Sequence, residues 1–181
     1  MKSKERNQLI VDEAVRDAEA GRYVLITTER TKHAKELADA INKAGIPSIH
    51  VVGSTTERDK LWERARTGEI RVVVAMRRIT RLGIDVPLWD CFYNILPTSN
   101  PHNYYQELSR VRTHYEGKPE PIIKDFVDDV DDSKEARGAI LGTMTKRNAV
   151  YLEQEFDIKN AAFRPKKEKR LTWGRRTRKV E

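Results

Sequence analysis

Hydrophobic positions recur along this chain with two alternating periods. Leu9, Ile10, Ala14, Val15 and Ala18 stand at helical spacing ahead of Gly21, the pattern of an amphipathic helix with a glycine stop. The next run, YVLIT (23–27), is short, apolar and rich in β-formers, as in a strand buried on both faces. Leu37, Ala40 and Ile41 mark a second helix closed by Gly45. The alternation continues with SIHVV (48–52), a helix over residues 56–66, and RVVVAM (71–76). CFYNILP (91–97), a helix over 102–112 and PIIKDFV (121–127) follow. Residues 133–156 read as helical again, with no further strand. Past Phe163, RPKKEKRLTWGRRTRKVE has no apolar period and is expected to be an arm ordered by a partner.

Strands that alternate with helices through connections too long for hairpins predict an α/β fold. Its sheet should be mainly parallel and covered on both faces. The expected divisions are a sheet domain over 1–132, a helical extension over 133–163 and a basic arm over 164–181. In such sheets ligands gather beyond the carboxyl ends of the strands. The segments there are TTERTKH, GSTTERD, RRITRLGIDVP and TSNPHN, rich in the hydroxyls, glycine and arginine that suit phosphate.

Charge sharpens this picture. The chain carries a net charge of +7, and the arm, with nine Lys/Arg against two Asp/Glu, accounts for all of it. Its basic residues Lys166, Lys167, Arg170, Arg175 and Arg176 surround Trp173, a mix suited to phosphate contact plus base stacking. The single cysteine, Cys91, excludes an internal disulfide and reads as an inert core thiol. No apolar run approaches the ~20 residues of a membrane span, and MKSKERNQ has no signal-peptide core. A soluble, intracellular (cytoplasmic) protein without membrane association is expected.

The chemistry that is missing is equally informative. No GxxxxGK[ST] loop occurs, so no glycine-rich cradle with its lysine can seat a triphosphate. No carboxylate pair follows a strand where it could hold magnesium. The acidic cluster DDVDD (128–132) lacks the glycine and ligand spacing of a calcium loop. His33, His50, His102 and His114 have no paired spacing, so no resident metal is expected.

The order YVLITTER, GSTTERD, RVVVAMRRITRLGIDVP and YYQELSRVR resembles the second RecA-like domain of superfamily-2 helicases, over roughly residues 5–130. These segments correspond to that family's motifs IV, V and VI. The continuation HYEGKPEPIIKDFVDD is closest to phage helicases and their bacterial relatives. The resemblance implies a RecA-like parallel sheet. It also implies a cleft in which motif VI supplies arginine fingers to ATP with Mg2+ seated on a P-loop domain.

By that resemblance Gln106 and Arg110 match the motif VI pattern QxxGRxxR. Ser109 stands where glycine is usual and Thr113 where the second arginine is expected. Arg112 falls one residue early, about 100° around a helix. Gly83 and Asp85 match the G-[IL]-D of motif V, implying a role on the nucleotide side together with Arg110. Met76 replaces the threonine that begins motif V, and Arg77, Arg78 and Arg81 follow it as candidate backbone contacts. Thr27, Thr28 and Arg30 in motif IV, and Gly53, Ser54 and Thr55 after the next strand, are candidate sugar–phosphate contacts. Ser54 and Thr55 also read as ordinary helix caps.

The expected function is the C-terminal half of a DNA helicase, with RNA as the other possible substrate. A separately encoded P-loop ATPase half is expected to complete the cleft, and no ATP hydrolysis is expected from this chain alone. The alternative expectations are a non-catalytic nucleic-acid-binding accessory protein and a regulator that occupies another helicase's cleft.

Overall fold

The computed structural model describes residues 4–81, 83–96, 100–127 and 134–158; within its helices, the side chains of 101–103, 134–137 and 139–141 are left aside. The elements run α1 (Lys4–Glu19), β1 (Val24–Thr28), α2 (Thr31–Lys43), β2 (Ser48–Val51), α3 (Arg58–Arg66) and β3 (Val72–Met76). Then come α4 (Arg77–Thr80), β4 (Cys91–Asn94), α5 (Pro101–Arg112), β5 (Ile122–Asp125) and α6 (Lys134–Glu153).

The five strands form one sheet in the order β2-β3-β1-β4-β5. Every pairing is parallel, with Val24 opposite Val72 on one side and Cys91 on the other. The unbroken apolar runs explain this order. All five positions of β1 and of β3 are buried, which only the centre of a sheet covered on both faces provides. β5, partly exposed along its length, takes one edge. The expected α/β architecture with a parallel sheet is the one observed.

Helices close the core with the stripes their spacing marks. Ile10, Ala14 and Ala18 of α1 and Leu37, Ala38 and Ile41 of α2 are buried. Trp62 of α3 packs edge-on against Trp89, ring centroids 6.2 Å apart. Tyr104 of α5 meets Phe92 of β4 and Tyr151 of α6. Val150 and Tyr151 belong to the same core cluster as the central strands, so the helix expected as an extension packs into the core of the sheet.

One element departs from expectation. The stretch after β3, read as a loop, begins with the short helix α4, whose Ile79 and Thr80 are buried. Four residues with two arginines carry no visible period. The turn forms because Ile79 enters the core and Thr80 Oγ1 donates to the Arg77 carbonyl at 2.8 Å. The acidic cluster 128–132 and the arm lie outside the described residues, so nothing is assigned to Lys166, Lys167, Arg170, Trp173, Arg175 or Arg176.

Candidate functional site

The carboxyl ends of the strands bring the motif residues to one edge, but they divide into exposed and enclosed sets. After β1, Arg30 is exposed while Thr27 and Thr28 are fully buried. Thr28 Oγ1 lies 3.3 Å from His33 Nδ1 and accepts the Arg30 backbone N–H. His33 Nε2 lies 3.0 Å from Asn7 Oδ1, so the ring links the loop after β1 to α1. Thr28, expected as a phosphate contact, therefore braces the loop from within; Thr27 is buried with its hydroxyl unpartnered among the described residues, and Arg30 is the group of that motif that faces out.

After β2, Ser54 is exposed and Gly53 and Thr55 half-buried. Thr55 Oγ1 accepts the Val52 N–H at 2.9 Å, so its hydroxyl closes the turn. Arg58 reinforces it by donating to the Gly53 and Thr55 carbonyls, both at 3.1 Å. A Cβ on Gly53 would stand 2.3 Å from Arg78 Nη2, the movable tip of that side chain. Arg78 of α4 thus lies across the backbone of the β2 loop. Its own charge is exposed.

After β3 the expectations separate further. Met76 is buried and its sulfur accepts the Thr31 hydroxyl at 3.6 Å. Arg77, expected to hold a phosphate, is only 5% exposed. Its Nε lies 2.7 Å from Glu107 Oε1, and its Nη2 donates to Asn94 Oδ1 at 3.4 Å. The reason is placement: Arg77 starts α4 directly at the end of a central strand, under α5, where an unpaired charge would be costly. Arg81 is partly exposed, with Nη2 3.5 Å from the same carboxylate oxygen.

Glu107 was not singled out from the sequence, although it sits inside motif VI. It is 3% exposed and ties α5 to α4. Burial pushes its carboxyl up to about 7, although the Arg77 and Arg81 guanidiniums favour its charged form. Its only advance signal was an acidic residue between apolar Tyr104, Leu108 and Val111 on a helix otherwise read for its glutamine and arginines.

Motif VI itself is split by helix geometry. Gln106 and Ser109 are exposed and Arg110 is partly exposed. Arg110 Nη1 donates to the Ile84 carbonyl at 3.0 Å. This seats its guanidinium within the G-I-D segment, whose Gly83 and Asp85 are exposed. Arg112 lies two residues on, about 200° around the helix. It donates to Gln154 Oε1 and stacks on Phe156, 5.7 Å from the ring centroid. Arg112 is thus engaged with the residues after α6, on a different side of α5 from Arg110. Thr113 Oγ1 turns back to the Ser109 carbonyl at 3.5 Å.

The site can therefore present one guanidinium, Arg110, beside Asp85, and a separate basic edge made by Arg30, Arg78 and Arg81. Among the described residues no group of His, Cys, Asp or Glu is arranged to hold a metal ion, and no helix is long and apolar enough to cross a membrane.

Three known proteins are similar to this chain. The probable helicase D10 of Escherichia phage T5 is 28% identical over 109 residues, 59% of this chain and 24% of the relative. This chain thus spans about a quarter of that relative's length. The C-terminal part of the Fun30 ATPase domain superposes with a TM-score of 0.60 at 17% identity, covering 86% of this chain and 57% of that one. The Saccharomyces cerevisiae Dbp5 structure with RNA and ADP BeF3 has a TM-score of 0.60 at 18% identity, covering 81% of this chain and 35% of that one. The fold these share is the RecA-like one. Residues 5–114 match the helicase conserved C-terminal domain, and with that match over more than half its length the chain belongs to that helicase C-terminal domain family.

Proposed function

We propose that this chain is the C-terminal half of a superfamily-2 DNA helicase, completing an ATP cleft whose P-loop and magnesium ligands lie on another polypeptide. The observation that carries this reading is the seat of Arg110. Its guanidinium is tied by one N–H to the Ile84 carbonyl, which aims it without burying it. Gly83 and Asp85 are exposed alongside. These 181 residues hold no GxxxxGK[ST] cradle, which supports a triphosphate seated on a separate domain. ATP with Mg2+ would bring the phosphoryl group and its neutralising metal; Arg110 would stabilise charge on the transferring oxygens, and Asp85 would face the ribose side. Arg30, Arg78, Arg81 and Ser54 would grip one strand's backbone, and closure of the cleft would move that grip.

The test is to titrate the protein into a P-loop helicase half with single-stranded DNA present, and separately with RNA. Turnover should rise on addition of this chain, and addition of Arg110→Ala should leave it near the unassisted rate. Stimulation by Arg110→Ala equal to that of the unaltered protein would end the shared-cleft reading.

A second reading, a nucleic-acid-binding accessory protein without an ATP role, is favoured by Met76. Where the family places a hydroxyl, this chain has a buried thioether that accepts from Thr31. It predicts oligonucleotide binding that ignores ATP and survives Arg110→Ala.

A further inference from the structure

Arg77, Arg81 and Glu107 form a charged group at the junction of α4 and α5, and its members are not equivalent. Arg77 is enclosed and also held toward Asn94 and, at 3.9 Å, Glu29. The Arg81 side chain is 31% exposed and reaches the Glu107 carboxylate only at 3.5 Å. Both Glu107 oxygens and the Nε atoms of Arg77 and Arg81 are enclosed without an aligned hydrogen bond among the described residues. Arg77 holds Glu107 closely, at 2.7 Å, and the Arg81 contact is the looser of the two. A guanidinium in that state gains by meeting an oxyanion that it can approach in plane. Arg81 also follows α4 directly, one turn from the exposed Arg78 that lies over the β2 loop. A nucleic-acid backbone on that edge would pass within its reach.

We propose that Glu107 is a positioning residue for the nucleic-acid grip: its buried carboxylate holds Arg81 in reserve, and a nucleic-acid phosphate takes Arg81 over. Arg77 stays in place as the fixed partner that keeps Glu107 seated. This rests on the reading that the segment after β3 contacts the backbone, and it goes further by naming a competitor inside the protein for one of the contacts. The charged groups that face Glu107 are Arg77 and Arg81, with Glu29 adding a like charge. When Arg81 leaves, Glu107 loses one of its two cations and takes up a proton more readily. Binding is then coupled to protonation of Glu107, and affinity rises as pH falls through the region of about 7.

The experiment uses the full chain and a fluorescently labelled oligothymidylate of about 20 nucleotides, read by anisotropy at constant ionic strength. Between about pH 8 and pH 6 the affinity of the unaltered protein should rise, by at most about tenfold for each unit by which the phosphate raises the carboxyl's pKa. Glu107→Gln should bind more tightly at the upper pH and keep only the share of the pH dependence contributed by the histidines. Arg81→Gln, at a partly exposed position, should bind more weakly and lose the same component. Its log-affinity against log-salt slope should be shallower by about 0.7. If the unaltered protein binds but Glu107→Gln and Arg81→Gln leave the pH profile unchanged, the inference is overturned while the backbone grip stands. If the unaltered protein binds no oligonucleotide at any of these pH values, both are overturned.

Discussion

Replacing Asp125 by alanine should detach α6 from the sheet at a cost that the structure allows to be worked out. Asp125 ends β5 and accepts three bonds: from Asn94 Nδ2 at 2.9 Å, from Arg147 Nε at 2.6 Å and from the Tyr151 hydroxyl at 3.1 Å. Arg147 is only 3% exposed, and its Nη1 is already enclosed without a partner among the described residues. Removing the carboxylate leaves a buried guanidinium uncompensated, which costs about 3–5 kcal/mol. The bonds from Asn94 and Tyr151 contribute about 1 kcal/mol each. They share one network with the ion pair and do not add to it in full. Taking about 3–5 kcal/mol for the whole, and a urea slope of about 2 kcal/mol/M, the midpoint should fall by about 1.5–2.5 M. Equilibrium urea unfolding followed by the buried Trp62 and Trp89 and by far-ultraviolet circular dichroism measures it. Arg147→Met in the same background should recover much of the loss, because it removes the stranded charge. A midpoint shift below about 0.5 M, or an Arg147→Met effect that simply adds to that of Asp125→Ala, would refute the buried-charge argument.

Three further outcomes are expected. Arg110→Ala should lower stimulated ATP turnover by about 10³–10⁵ while costing about 1 kcal/mol of stability, the worth of one bond to the Ile84 carbonyl. Arg112→Ala should change turnover little and weaken the docking of the segment after α6; equal turnover losses in both would contradict the helix phase described above. Glu107 has its folded-state pKa raised, to about 7 from 4.5, so the folded state binds the proton more tightly and stability declines as pH climbs from about 4.5 to 8. Relative to Glu107→Gln, the unaltered protein should lose roughly 3 kcal/mol over that window, and parallel stability–pH curves would reject the assignment. Gly53→Ala should displace Arg78, whose Nη2 would lie 2.3 Å from the new Cβ. The guanidinium tip can move, so stability should change by less than about 1 kcal/mol while oligonucleotide affinity falls; unchanged affinity would show that the placement of Arg78 over this loop does not matter.

The sequence by itself determined the succession of elements. Continuous apolar runs and period-3.6 stripes are local, and a run such as VVVAM has few folded fates except a strand covered on both faces. The parallel sheet was legible there, and the resemblance to a helicase domain singled out Arg110 and the G-I-D segment; the strand order was not legible. Even Arg112 could have been read as facing away from Arg110, because two residues on a helix differ by about 200°.

Which charges are available was decided only by tertiary structure. Arg77, Arg78 and Arg81 look alike in a string, yet one is buried against Glu107, one lies over Gly53 and one is shared between carboxylate and solvent. Thr27 and Thr28 look like surface hydroxyls and are both buried, Thr28 as a brace for the loop after β1. The residues that settle these fates lie far along the chain: Glu107 for Arg77, Asp125 for Asn94, Tyr151 for Tyr104. Periodicity carries no information about such partners, because the energy of a charge depends on how much water the folded chain leaves around it and on which opposite charge is brought within about 4 Å.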